Sequence, residues 1–127
     1  MKIPNDEEVK GWCDRIRAEA LDLHSWLRHG QLERISENGM LHRIRKLGLN
    51  TEQQHPIHVH DRDGTLLGDF FADLIVNDSL IIELKACKSI ADEHIAQLLG
   101  YLNATGKRHG LIINFGAPNF QIRKFVV

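Results

Sequence analysis

Two stretches within the first 48 residues place apolar side chains three and four positions apart, the spacing of an amphipathic helix. Gly30 separates the two stretches, and Gly39 interrupts the second pattern. The apolar positions are Val9, Trp12, Cys13, Ile16, Ala20, Leu23 and Leu27 in the first stretch and Leu32, Ile35, Met40, Leu41, Ile44 and Leu47 in the second. We predict two helices within about residues 6–48, with Trp12 and Trp26 in the core and His24 buried and hydrogen-bonded.

The period of the pattern shortens to two residues after Thr51, which is typical of half-buried strands. Turns at residues 61–64 and 77–79 connect three predicted strands as an antiparallel meander. Ser89 or Asp92 then caps a helix, and Gly106 ends it. The strands cover the segment around Ile57 and Val59, Leu66–Val76, Leu80–Cys87, residues 111–115 and a last segment from Phe120, and the helix covers Ser89–Ala104.

This order of elements, two helices, three strands, a helix and two strands, predicts an α/β domain with a mixed sheet flanked by helices. The apolar run at residues 111–115 is typical of a central strand covered on both faces. We expect one domain over residues 1–127, with a helical part at about 6–48 and the sheet and crossover helix at about 51–127.

Composition narrows the class of protein. No apolar run approaches the length of a membrane span, and the acidic N-terminus lacks the apolar core of a signal peptide, so we expect a cytoplasmic protein without membrane association. Two cysteines, Cys13 and Cys87, are too few for a disulfide framework or a zinc cage. The net charge of −1 excludes a strongly basic, non-specific nucleic-acid binder, although arginines concentrated in the N-terminal third allow a local basic face.

One candidate for chemistry is an acidic–lysine group on the second and third predicted strands. Glu83 and Lys85 share a strand face because side chains alternate, and the turn near residues 77–79 brings Asp73 opposite or diagonal to Glu83, within about 5–8 Å between Cβ atoms. Two close carboxylates repel unless a cation lies between them, and hard oxygen ligands suit Mg²⁺ or Mn²⁺. The group therefore suits phosphodiester hydrolysis; the alternative is a solvated face with a weak ion pair.

Further polar residues could complete this group. Glu33 on the second helix could supply a third carboxylate, and Gln97 and Tyr101 lie one turn apart on the last helix, where they could contact a bound water, a phosphate or a nucleic-acid backbone. His58 and His60 share a strand face, but too few ligands accompany them for zinc, so we expect solvent-facing histidines. Likewise we expect Cys87 to be a small buried residue rather than a nucleophile.

These residues together resemble the GxxExxY family of the PD-(D/E)XK nuclease superfamily. The resemblance runs from about Ala18 to Val127 and is carried by Leu23-His24, Gly30-Gln31-Leu32-Glu33, residues 71–76, residues 82–86, residues 94–102 and residues 110–116. It implies a restriction-endonuclease-like fold with an αβββαβ core. Two positions depart from the family pattern, since Ser36 stands where the name-giving tyrosine is expected and Phe71 precedes Ala72-Asp73.

The resemblance also implies roles for individual residues. Asp73 and Glu83 would be the metal carboxylates, Lys85 the catalytic lysine and Glu33 an accessory acid, while Gln97 and Tyr101 look like the QxxxY element of exonuclease-type members.

We therefore expect a metal-dependent nuclease-type domain in which Asp73, Glu83 and the Leu84 carbonyl hold Mg²⁺ or Mn²⁺. Its substrate would be DNA, or alternatively RNA, and a chain of 127 residues could require a second copy or an accessory protein to grip it. The competing hypothesis is a non-catalytic nucleic-acid-binding or protein-interaction module on the same fold.

Overall fold

The computed structural model describes residues 3–127, which form three helices, five strands and their connections. The helices are α1 (Asp6–Leu27), α2 (Glu33–Lys46) and α3 (Asp92–Thr105), and the strands are β1 (Thr51–His60), β2 (Leu66–Val76), β3 (Leu80–Lys85), β4 (His109–Asn114) and β5 (Gln121–Val126). The strands lie in sequence order in one sheet, with β3 and β4 parallel and the other neighbours antiparallel. The predicted meander, crossover helix and mixed sheet are confirmed.

Each face of the sheet buries a separate apolar cluster. The first cluster joins α1 and α2 to one face, and the second joins α3 to the other. Along β3, Leu80, Ile82 and Leu84 belong to the first cluster and Ile81 to the second, as a period of two requires. All six residues of β4 are buried, which confirms the prediction of a central strand covered on both faces.

Helix ends show where local sequence determines structure and where it does not. The Asn5 side chain caps α1 by accepting a hydrogen bond from the Glu8 N–H at 2.8 Å. The predicted cap of α3 at Ser89 or Asp92 is wrong, because Ala91 occupies the N-cap position. There the Ala91 N–H donates to Nδ1 of His94 at 3.0 Å, so a side chain inside the helix replaces the usual cap.

Helix packing explains Gly39 and corrects one tryptophan. Helix α2 is continuous through Gly39, where a Cβ atom would lie 2.8 Å from a Leu23 methyl group of α1, so glycine permits the close approach of the two helices. The predicted burial of Trp26 is wrong, since 78% of this residue is exposed. It precedes Leu27 by one residue, about 100° around the helix, and there it faces solvent. Trp12 does pack against the core.

The β1–β2 hairpin extends well beyond β3. Strand β2 pairs with β3 only over residues 74–76, so residues 55–60 and 66–72, which we call the hairpin arm, form a two-stranded ribbon. The arm exposes apolar side chains. It also exposes His58 and His60, which confirms the prediction of solvent-facing histidines. His58 Nδ1 contacts an Asp69 carboxylate oxygen at 2.5 Å. The exposed large apolar residues are Leu66, Leu67, Phe70 and Phe71.

Gly116 fixes the loop that follows β4 against the end of β3. A Cβ atom at this position would lie 2.2 Å from the Cys87 backbone nitrogen, and backbone cannot swing aside as a side chain can. We expect Gly116→Ala to lower the free energy of unfolding by about 3 kcal/mol. In the matched control Gly100→Ala, where α3 leaves open space, we expect a gain of about 0.5–1 kcal/mol. Urea unfolding measures both; equal values for the two variants would contradict this packing.

Candidate active site

Asp73 lies where β2 separates from β3. The ladder between the strands ends at the pair Leu74–Ile82, and the same register continued by one residue places Asp73 beside Glu83. Instead of a backbone partner on β2, the Leu84 N–H finds the Asp73 carboxylate and donates to Oδ2 at 2.8 Å. The edge of Leu84 that faces β2, including its carbonyl, is thereby left without a strand partner.

Beside Asp73, the side chains of the hairpin strands change from one face of the sheet to the other. Ala72 and Ile75 pack on the α3 side of the sheet although they are three positions apart, while Leu74 packs on the opposite side. On β1 the matching irregularity is Gln54, which has a positive φ of 52°. The register is the same on both sides of the irregularity, so the exchange reorients side chains without shifting the strands.

Glu83 is the most strongly perturbed acid of the site. Only 4% of the residue is exposed, and its Oε1 atom is buried with no hydrogen-bond partner. Burial raises the pKa of Glu83 to about 9, with a further increase from the negative charge of Asp73, which the charge of Lys85 opposes in part. At neutral pH this carboxyl group therefore holds its proton in the metal-free protein.

Lys85 follows Glu83 on the same face of β3 and reaches α3. Its Nζ donates to Oε1 of Gln97 at 3.4 Å, at a position open to solvent. Tyr101, one turn further along α3, is 8% exposed, and its ring centroid lies 5.6 Å from that of Phe70. Burial, followed by the charge of Glu83, raises the pKa of Tyr101. Gln97 thus faces the open side of the site, whereas the Tyr101 ring packs in the core beside it.

Helix α2 brings two carboxylates to the cluster. Burial and the negative charge of Asp73 raise the pKa of Glu33. The charge of Lys85 and a hydrogen bond with the Ala86 backbone offset part of this increase. Burial likewise raises the pKa of Glu37, with a further increase from Asp73. Sequence reasoning missed Glu37, although its spacing of four residues from Glu33 on one helix was the available signal.

Gln54 was also missed, and it joins the acids of α2 and β2. Its Nε2 donates to Glu37 Oε1 at 2.9 Å and to Asp73 Oδ1 at 3.4 Å. Gln53 donates to the other Glu37 oxygen, Oε2, at 2.5 Å. Ser36, where the resemblance to the GxxExxY family implied a tyrosine, is buried, and its Oγ has no partner.

Cys87 lies outside strand β3, which ends at Lys85 rather than at the predicted Cys87. The thiol is half-buried rather than buried and donates to the Ser89 carbonyl at 3.2 Å. Its neighbour Lys88 is exposed.

The donor set suits a hard divalent cation bound with water. Within residues 3–127, no group of three or more His, Cys, Asp and Glu side chains is arranged to hold a metal ion by itself. Asp73 and Glu83 nevertheless meet beside the open backbone edge of Leu84, and the unpartnered Oε1 of Glu83 is an unused acceptor. Two carboxylates with one carbonyl, leaving other positions to water, form the kind of oxygen set that Mg²⁺ and Mn²⁺ accept.

Comparisons with known proteins agree with this architecture. The chain matches the family model of the PD-(D/E)XK nuclease superfamily over residues 10–125, and no curated protein matches it. It is similar to the crystal structure of SSO0001, with a TM-score of 0.57 and 19% sequence identity, over 72% of this chain and 48% of that chain. The chain thus spans about half the length of SSO0001, and the likeness concerns the fold.

The mixed five-stranded sheet flanked by helices is the restriction-endonuclease-like α/β fold that the sequence predicted. In the described part of the chain, no helix combines the length and the apolar character that crossing a membrane requires. Because the family model covers nearly all of the sheet and its helices, the chain belongs to the PD-(D/E)XK nuclease superfamily.

Proposed function

We propose that the protein is a metal-dependent nuclease that hydrolyses phosphodiester bonds in DNA, with RNA as the alternative substrate. The observation that carries the proposal is the meeting of Asp73, Glu83 and Lys85 at the point where β2 leaves β3. A solvated surface pair would not leave a carboxyl group 4% exposed with an unpartnered oxygen. Perturbed acids of this kind concentrate at functional sites.

Asp73, Glu83 and the Leu84 carbonyl would hold Mg²⁺ or Mn²⁺. When bound, the ion supplies Lewis acidity toward a phosphoryl oxygen and lowers the pKa of a water molecule. Before it can bind the ion, Glu83 must lose the proton that burial and the negative charge of Asp73 hold on its carboxyl group.

The remaining side chains would act on water and phosphate. The Lys85 ammonium group, held at 3.4 Å from Gln97 Oε1, orients the attacking water and offsets negative charge that develops on the phosphate. Gln97 lies on the open side of α3 and assists this orientation through its amide. Glu33, beside Lys85 and the Ala86 backbone, binds a second water or ion, and Tyr101 would contact substrate only through the edge of its phenol that the core leaves exposed.

Nucleic acid is the proposed partner because exposed cations flank the acids. Arg34 lies on α2 beside Glu37 and lowers its pKa, and Lys88 is exposed shortly after β3. In contrast, two arginines near the end of α2 are engaged within the protein, since Arg43 pairs with Asp22 at 2.6 Å and Arg45 donates to the Thr51 carbonyl. Within the superfamily, we propose membership of the GxxExxY family on the motif residues Gly30 and Glu33.

A non-catalytic interaction module is the second candidate, and the hairpin arm favours it. The arm exposes Leu66, Leu67, Phe70 and Phe71 beside the acidic cluster, an apolar surface that a second copy or an accessory protein could cover. The two candidate functions make different predictions about Lys85. The nuclease needs the Lys85 amine for turnover, whereas the interaction module does not.

The test of the nuclease is the variant Lys85→Met, assayed with DNA and RNA in Mg²⁺, in Mn²⁺ and in a chelator. We expect metal-dependent cleavage by the wild type and a loss of about a hundredfold in kcat in the variant, because a positioned donor is removed from the developing charge. Calorimetry should show Mn²⁺ affinity retained, since Lys85 is not a ligand.

The matched control is Lys124→Met, which removes an exposed amine from β5, at the edge of the sheet opposite β1. We expect its kcat to equal that of the wild type. Equal cleavage by Lys85→Met and Lys124→Met would refute the role of Lys85, and absence of cleavage by the wild type on both nucleic acids would favour the interaction module.

A further inference from the structure

Gln54 has an unusual backbone conformation in the middle of β1. Its φ of 52° lies in the left-handed region, which residues with long side chains rarely enter and which glycine enters freely. The residues on either side of it, Gln53 and His55, pair with β2, whereas Gln54 and Asp73 form no pair in the ladder. Strained conformations of this kind persist only where the surroundings hold them, and they cluster at functional sites.

The Gln54 side chain serves two acids at once. A primary amide carries two N–H donors, and Nε2 reaches Glu37 Oε1 at 2.9 Å and Asp73 Oδ1 at 3.4 Å. The second oxygen of Asp73, Oδ2, accepts from the Leu84 N–H at 2.8 Å. Both oxygens of Asp73 are therefore held, one by the backbone of β3 and the other by Gln54.

The Gln54 amide lies between two acidic side chains, Glu37 and Asp73. Glu37 is 5% exposed and lies near enough to Asp73 for the negative charge of Asp73 to raise the pKa of Glu37, after the larger effect of burial. Donors placed between two carboxylates offset their repulsion. Without the amide, the Asp73 side chain would be free to turn away from Glu37 and, because it rotates as a whole, away from the Leu84 N–H.

We propose that Gln54 is a positioning residue, whose left-handed backbone and bridging amide aim the Asp73 carboxylate at the Leu84 edge of β3. The inference rests on the proposed function, in which Asp73 binds the metal ion. Groups that orient a metal ligand typically contribute about 10- to 100-fold to affinity or activity.

The experiment uses Gln54→Gly, which removes the amide while favouring the backbone conformation, together with Gln54→Glu, which keeps the length and replaces the donors with a carboxylate. We expect both variants to lose about 10- to 100-fold in Mn²⁺ affinity and in kcat, with little change in KM for DNA. The matched control is Asp78→Gly, another exposed residue with positive φ (54°), in the β2–β3 turn, for which we expect wild-type values.

A second readout requires no metal. Because Asp73 protects the Leu84 N–H, we expect the exchange of this amide with solvent to become at least about tenfold faster in Gln54→Gly, while that of Ile82 stays constant. Wild-type exchange at Leu84 in both Gln54 variants would overturn the inference, as would wild-type Mn²⁺ affinity in both. Absence of Mn²⁺ binding by the wild type would instead refute the proposed function, and exchange at Leu84 would still decide whether Gln54 positions Asp73.

Discussion

Asp73→Asn is expected to abolish Mn²⁺ binding and to lower DNA cleavage by roughly 10³-fold or more, since a bound metal contributes several kcal/mol to the transition state. The fold should survive, because the asparagine Oδ1 can still accept from the Leu84 N–H, as the Asp73 carboxylate does at 2.8 Å. The substitution removes one negative charge from the site and, with it, a contribution that raises the pKa of Glu83.

Calorimetric titration with Mn²⁺ and a cleavage assay measure these effects. The matched control is Asp69→Asn, which makes the same change on the exposed hairpin arm, where Asp69 contacts His58. We expect the control to bind and cleave like the wild type. Identical Mn²⁺ affinity in Asp73→Asn and the wild type would remove Asp73 from the metal site.

Glu83 is expected to make metal affinity strongly dependent on pH. Its pKa of about 9 in the folded protein means that Mn²⁺ must displace a proton at neutral pH. Affinity should therefore rise about tenfold per pH unit, or roughly a hundredfold between pH 6 and 8. Titrations in buffers of different ionisation enthalpy should report the release of one proton; affinity independent of pH would contradict a protonated Glu83.

The same proton links folding to pH in the metal-free protein. Between about 4.5, the ordinary pKa of a glutamate, and about 9, the folded chain holds one proton more than the unfolded chain at this site. The contribution of this proton to the free energy of unfolding is complete below about pH 4.5. It is lost as the pH rises toward about 9, by up to about 1.4 kcal/mol per pH unit. Glu83→Gln should remove this slope, which urea unfolding at pH 5.5, 7 and 8.5 would detect.

The periodicity of the sequence was sufficient for the architecture and for part of the site. Alternation along β3 placed Glu83 and Lys85 on one face, and the turn at residues 77–79 placed Asp73 beside Glu83, because both depend on neighbours in the chain. The cap of α3 was mispredicted, since His94 folds back onto the Ala91 N–H and a polar residue before the helix was not needed.

Gln54 and Glu37 could not be located in the same way. In a regular strand, alternation predicts which face of the sheet each side chain occupies. The positive φ of Gln54 changes the direction of its side chain, so this prediction fails there. The contact between Gln54 and Glu37 joins β1 to α2 and depends on how the helix packs on the sheet. The exposure of Trp26 has a similar origin, because the width of the buried stripe on α1 depends on what covers it.

The outer edge of β1 would ordinarily favour aggregation, because a strand at the margin of a sheet offers free N–H and C=O groups to another chain. Pro56 lies midway along β1, and proline in a sheet is confined to positions where no neighbouring strand requires its missing N–H. A foreign strand that docked there would meet a gap in its hydrogen bonding. The ribbon that carries Gln54 is thus protected against growth into intermolecular sheets.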